Sequence, residues 1–139
     1  MMTFEELGKN LPALFSAALV AILFIQSGLD KVFDWAGNLG WLTGHFEKTF
    51  LGAMVPLLLA TITVMEIATG FLSAAGVVYF LATGSLSLVF YAAALGAASL
   101  LALFFGQRIA KDYAGAAVLV PYFILMIALL YLTNPFLKR

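Results

Sequence analysis

The residues best placed to do chemistry in this 139-residue chain form a polar cluster after a long apolar run. The cluster contains Gln26, Asp30 and Lys31, and we expect Arg108 and Asp112 to join it from a later charged turn. Lys31 and Arg108, with Gln26 beneath them, could line a shallow polar pocket that holds an anion or a quinone head group. Gln26 would lie roughly a turn deeper than Lys31, at 1.5 Å per residue of helix.

The same residues can also be interpreted as the solvated ends of membrane helices. Lysine and arginine side chains commonly extend from the end of a spanning helix towards lipid head groups. Helix-end charges also pair at a spacing of four, as Arg108 and Asp112 would on a continuous helix. The sequence leaves both interpretations of the cluster open.

Glu66 is a second candidate, because it is a lone acid within a long apolar stretch. Counted from about Ala53, it lies roughly 20 Å along its helix, past the midplane of the bilayer. Lys31 and Arg108 are expected at the opposite face, so we predict that neither pairs with Glu66. A buried acid there should be protonated or hydrogen-bonded. The predicted partners are Ser16, Thr69 and Tyr79.

An acid inside a membrane span has two common roles. It can relay protons or contact a ligand, which is the usual functional hypothesis for such a residue. It can also hydrogen-bond two helices together without any further activity. Both roles remain open for Glu66 at this stage.

The composition identifies an integral membrane protein whose surroundings include the lipid bilayer. Hydrophobic residues make up 64% of the chain and charged residues 10%, and the mean hydropathy is +1.08. The net charge of zero argues against a nucleic acid partner. The chain has no cysteine and a single histidine, His45, so we expect no metal site and no covalently bound cofactor.

The spacing of the charged residues predicts a single all-α domain, a polytopic membrane four-helix bundle. Each apolar interval is long enough for the roughly 20 residues that cross a bilayer. Residues 32–49 mix aromatic, glycine and charged residues, which predicts an interfacial segment with Trp35 and Trp41 at the level of the head groups. A turn is expected near residues 80–85. The predicted helices span about residues 12–31, 50–75, 86–106 and 114–132.

Four spans put both termini on one side of the membrane. The cations on that side are Lys9, Lys138 and Arg139, and they are nearly balanced by those of the opposite loops. If Lys31 and Arg108 are held in a site rather than solvated, the balance favours cytoplasmic termini.

Two short motifs and the spacing of the spans resemble the DoxX family of small four-helix bacterial membrane proteins. Phe24–Val32 is similar to the Gly-x-x-Lys sequence that ends the family's first helix. Met65–Gly70 is similar to the acid followed by glycine in its second helix. Members often carry a basic residue early in the first helix, where this chain has Phe15–Ala18, so we expect no ion pair between the first two helices at Glu66.

The resemblance implies a subunit or accessory of a membrane redox system in the bacterial cytoplasmic membrane. Relatives are associated with thiosulfate:quinone oxidation, and others with oxidative-stress complexes. This favours a subunit that is not catalytic alone, has a structural or quinone-facing role and binds other membrane subunits.

Two alternatives remain beside the subunit hypothesis. The chain could be a stand-alone quinone-linked oxidoreductase component that uses Gln26, Lys31, Glu66 and Arg108. It could also be a small homo-oligomeric transporter with Glu66 in its pore.

Overall fold

The computed structural model describes residues 2–137, so Met1 and two cations of the charge count, Lys138 and Arg139, lie outside it. Within that range the chain is helical and contains no strand. Its helices are α1 (Phe4–Lys9), α2 (Leu11–Phe33), α3 (Trp35–Phe46), a 3₁₀ turn (Gly52–Met54), α4 (Val55–Thr83), α5 (Ser87–Ile109) and α6 (Tyr113–Thr133).

Among residues 2–137, four helices are long and apolar enough to cross a membrane, which confirms the predicted all-α bundle. They are α2, α4 with its preceding 3₁₀ turn, α5 and α6. The predicted end of α4 near residue 75 is wrong, because α4 continues to Thr83. Gly84, whose φ is 79°, ends the helix and donates its N–H to the carbonyl of Phe80 at 2.7 Å. A left-handed glycine is a common helix terminator, since it has no Cβ to strain the turn.

The four spans pack in chain order and close into a bundle. The most extensive contacts join α2 to α4, α4 to α5 and α5 to α6, while α6 returns to α2 over a smaller area. Gly96 lies near the middle of α5, where its lack of a side chain leaves room for residues from the middle of the other three spans. A Cβ at this glycine would lie 3.0 Å from Met126 Sδ, 3.1 Å from Thr69 Cγ2 and 3.6 Å from the Phe24 ring. These four residues define the central layer of the bundle.

Two glycines bring the backbones of α2 and α4 into direct contact. A Cβ at Gly28 would lie 3.1 Å from the backbone nitrogen of Ile67, and one at Gly70 would lie 2.6 Å from that of Ile25. Small residues allow such close approach between membrane helices. The contact fixes which residues of α2 and α4 lie at the same depth.

Residues 32–49 contain a helix that covers one end of the bundle. α3 follows α2 after a break at Asp34 and packs against α4. The Phe46 ring lies over α5, 3.4 Å from where a Cβ of Gly106 would be. We call this end, where α2 and α5 finish and α4 and α6 begin, the α3 end.

The first and last residues that the structure describes lie at the opposite end of the bundle. The Glu6 carboxylate is close to Gly84 in the α4–α5 turn, and the Phe136 ring lies 6.1 Å from that of Phe90 at the start of α5. The polar lead forms the short helix α1, which the sequence analysis did not predict. Its capping box explains the helix, because Thr3 and Glu6 each accept the other's backbone N–H.

Candidate functional site

A half-buried cation and hydroxyl meet a buried carboxylate between α2 and α4. Lys31 Nζ lies 2.7 Å from Glu66 Oε1. It also donates to Ser27 Oγ at 3.0 Å, and Ser27 Oγ in turn donates to Glu66 Oε2 at 2.5 Å. The Lys31 side chain is 18% exposed and that of Glu66 3%. We call these three residues the Lys31–Ser27–Glu66 triad.

One oxygen of the triad retains hydrogen-bonding capacity. Glu66 Oε1 is close to the Lys31 ammonium but receives no well-aligned hydrogen bond. An ionised carboxylate can accept several hydrogen bonds at each oxygen. Glu66 Oε1 could therefore accept one more donor.

The prediction that Lys31 lies too far from Glu66 is wrong, because the helices do not end at the same depth. Glu66 lies about eleven residues into α4 from Val55, or roughly 16 Å, whereas Ser27 lies only about 9 Å before the end of α2 at Phe33. α2 therefore ends about 7 Å deeper than α4 begins. Side chains on a helix also point back towards its N-terminus, which brings the Lys31 ammonium to the level of Ser27.

The predicted partners of Glu66 are also wrong. Thr69 donates instead to the backbone carbonyl of Met65 at 2.7 Å, and Tyr79 is exposed. Ser16 lies roughly 16 Å along α2 from Ser27, the hydroxyl that does bond to Glu66. The absence of a basic residue from the start of the first helix does not prevent an ion pair, because the cation comes from the end of that helix.

Lys31 lines a cavity of about 420 Å³ at the α3 end of the bundle. α3 covers the cavity, and α4 and α5 form its walls. The apolar lining includes Trp41, Leu42, Phe46, Leu58, Leu59, Ile62, Met65, Leu103 and Phe105. The polar lining consists of Lys31, Asn38, Thr61 and Gln107. A mostly apolar cavity with a few polar groups is typical of a small-molecule site.

A histidine fastens α3 to the turn between α5 and α6. His45 Nε2 lies 2.9 Å from Gln107 Oε1, to which it can donate, and 3.7 Å from Asp112 Oδ2. Its ring stacks on Trp41 with the centroids 4.5 Å apart. Asp112 also caps α6 by accepting the N–H of Gly115 at 2.9 Å. These contacts hold the cover of the cavity in place.

The remaining members of the predicted polar cluster lie apart from the triad. Gln26 and Asp30 are exposed on the outer face of α2. Arg108 is exposed, and its guanidinium carbon lies 4.3 Å from the centre of the Tyr113 ring. The structure thus brings Asp112 to the cavity cover, Lys31 to the triad and the other three to the outer surface.

The predicted pairing of Arg108 with Asp112 does not occur, because α5 ends at Ile109 before the helix can bring them together. Lys111 then adopts a φ of 61°, which turns the chain into α6. The spacing of four therefore spans a turn rather than one face of a helix.

The charge balance of the site favours a neutral ligand. The Lys31 ammonium has its counter-charge in Glu66 at 2.7 Å, so an anion in the cavity would meet a neutralised pair. A carbonyl oxygen requires only a hydrogen-bond donor, which the Lys31 ammonium can supply on this cavity. In residues 2–137, no cluster of three His, Asp or Glu side chains has the spacing to hold a metal ion.

Ser27 is the functional residue that the sequence analysis missed. It precedes Lys31 by four residues, a spacing that places two side chains on one helix face. That spacing is the feature of the sequence from which Ser27 could have been grouped with Lys31. Both residues lie on the inner face of α2, where they meet Glu66.

Comparisons with known proteins give no relative from which a function could be transferred. No family model, curated protein or solved structure matches this chain. The functional argument therefore rests on the triad, the cavity and the two motifs.

Proposed function

We propose that this chain is a DoxX-like subunit of a bacterial membrane redox assembly, in which the cavity holds the head group of a quinone. The observation that carries the proposal is the position of Lys31, a neutralised cation that lines an otherwise largely apolar cavity. In this role the chain binds and orients the quinone, while partner subunits supply or accept its electrons.

The cavity offers the contacts that a quinone head group needs. A ring carbonyl can accept a hydrogen bond from Lys31, and the planar ring can pack against Trp41 and Phe46. The cavity also reaches side chains on the outer surface of α4 and α5, including Phe105, which is 55% exposed. An isoprenoid tail could therefore remain in the lipid while the head group is bound.

Glu66 acts in this proposal as a positioning residue. It lies behind Lys31 and holds the ammonium at the cavity through the 2.7 Å ion pair. This burial between α2 and α4 gives little support to the transporter alternative, since a carboxylate that lines a pore between copies would face outward from the bundle. The charge condition for cytoplasmic termini is met only in part: Lys31 is held in the triad, but Arg108 is exposed, which leaves three cations on each side of the membrane.

Quinone binding can be measured through Trp41, which lines the cavity. In a Trp35→Phe background, the purified chain in nanodiscs is titrated with a short-tailed benzoquinone while tryptophan fluorescence is recorded. We expect saturable quenching that Lys31→Met weakens at least about tenfold, given the strength of hydrogen bonds to charged groups. Ala102→Phe, which adds a ring to the cavity lining on α5 and leaves the three triad residues in the sequence, should abolish saturation.

Lys48→Met is the matched control, because Lys48 is an exposed lysine outside the cavity lining. It should leave the binding curve unchanged. Quenching that rises linearly with quinone in the membrane and is the same in all variants would contradict the proposal.

A further inference from the structure

The outward face of α2 carries a regular stripe of side chains. The stripe alternates spacings of four and three residues, the heptad pattern of two helices that pack side by side. Two of its members, Ile22 and Phe33, are 72% and 82% exposed. We call this stripe the α2 seam, and it consists of Phe15, Leu19, Ile22, Gln26, Leu29 and Phe33.

Gln26 is a polar residue at an apolar depth. It follows Phe24 of the central layer by two residues, so it lies only about 3 Å from the middle of the bundle along the axis. Its side chain is exposed and makes no hydrogen bond within residues 2–137. An amide in hydrocarbon without a partner is costly, and such residues commonly bond to a neighbouring helix.

We propose that the α2 seam pairs with the same seam of a second copy of this chain. Two copies have the same orientation in the membrane, so a two-fold axis along the membrane normal makes their α2 helices parallel. Gln26 then faces Gln26 at equal depth, and each amide donates to the carbonyl oxygen of the other. A single polar residue in an apolar seam is also the device that fixes the register of parallel helix pairs.

The rest of the surface agrees with this assignment. The outer face of α6 presents apolar side chains such as Val118 and Ile124, which are each 62% exposed and require only lipid. Asp30 lies four residues beyond Gln26, nearer the α3 end. It follows Leu29 of the seam directly and therefore lies beside the seam rather than on it. The two Asp30 carboxylates can therefore turn away from each other towards water.

Pairing through the seam leaves the triad and the cavity free. Ser27 and Lys31 lie on the inner side of α2, facing Glu66. Dimerisation and quinone binding are therefore separate properties, and one can fail while the other holds.

The chain has no cysteine, so single cysteines can map the pairing directly in native membranes. Ile22→Cys and Phe15→Cys lie on the seam, and Val118→Cys and Ile124→Cys are matched exposed positions on α6. On mild oxidation we expect disulfide-linked dimers of the two seam variants, at least tenfold more abundant than those of the α6 variants. Equal crosslinking at both faces would overturn the proposal.

The amide itself is tested by substitution, with the dissociation constant of dimers measured by fluorescence energy transfer in bicelles. Gln26→Leu should weaken dimerisation roughly three- to twentyfold, the range measured for hydrogen bonds between membrane helices. Gln26→Asn, which keeps the amide, should lie closer to the wild type. A monomeric wild type, no effect of Gln26→Leu, or seam crosslinks only to a different protein would each contradict pairing with a second copy.

Discussion

Replacing Lys31 with methionine should destabilise the bundle strongly. The change leaves the Glu66 carboxylate buried, with only Ser27 as a hydrogen-bonding partner. Removing one member of a buried ion pair costs roughly 3–5 kcal/mol. Both side chains are well under a third exposed, at 18% and 3%, so water can screen the remaining charge only slightly. We therefore expect the free energy of unfolding to fall by about 3 kcal/mol or more.

The opposite substitution, Glu66→Gln, should cost less. The new amide can still accept the hydrogen bond of Ser27, and the Lys31 ammonium can extend into the cavity that it lines. We expect a loss of about 1–2 kcal/mol. The double variant should be more stable than the sum of the two losses predicts, by about 1–3 kcal/mol, because it contains no unpaired buried charge.

The assay is reversible unfolding of the purified protein in mixed micelles with increasing SDS, followed by tryptophan fluorescence. Lys48→Met removes an exposed lysine and should change the free energy of unfolding by less than about 0.5 kcal/mol. The reasoning is refuted if Lys31→Met loses less than about 1 kcal/mol, or if the two single effects add without a coupling term.

Three further outcomes follow from the packing around the site. Gly70→Ala places a Cβ 2.6 Å from a backbone nitrogen of α2 and should cost about 1–3 kcal/mol in the same assay. Gly40→Ala, with no atom within 4 Å of the new Cβ, should not destabilise the protein. Ser27→Ala removes a donor to the buried carboxylate and should cost about 1–3 kcal/mol, and no loss would show that the bond is dispensable. His45→Phe keeps an aromatic ring but loses the bond to α5, so backbone hydrogen exchange in α3 should accelerate while that of α5 stays slow.

The positions of the spans could be predicted from the sequence, because each apolar interval is bounded by charge or by a turn residue. The length of α4 was underestimated, since nothing between Gly76 and Thr83 stops a helix and only Gly84 does so. The cover helix α3 was predicted only as an interfacial segment, because its mixed composition does not show a clear apolar face.

The triad could not be predicted, because the relative depth of two helices is not contained in their separate sequences. It depends on Gly28 and Gly70, whose close backbone contacts set the register of α2 on α4. Counting residues from the assumed ends of the helices placed Glu66 and Lys31 on opposite sides. Gln26 was grouped with Lys31 for a different reason, their shared position near the end of α2, although side chains five residues apart leave a helix on different faces.

The central claim is that the cavity beside Lys31 holds a quinone within a larger membrane assembly. The most direct measurement is native mass spectrometry of the complex extracted from its own membranes in a mild detergent, with quinone detection. The account predicts stoichiometric recovery with other subunits and a bound quinone that is lost in Ala102→Phe, which adds a ring to the cavity lining. Recovery without other subunits and without quinone would contradict it.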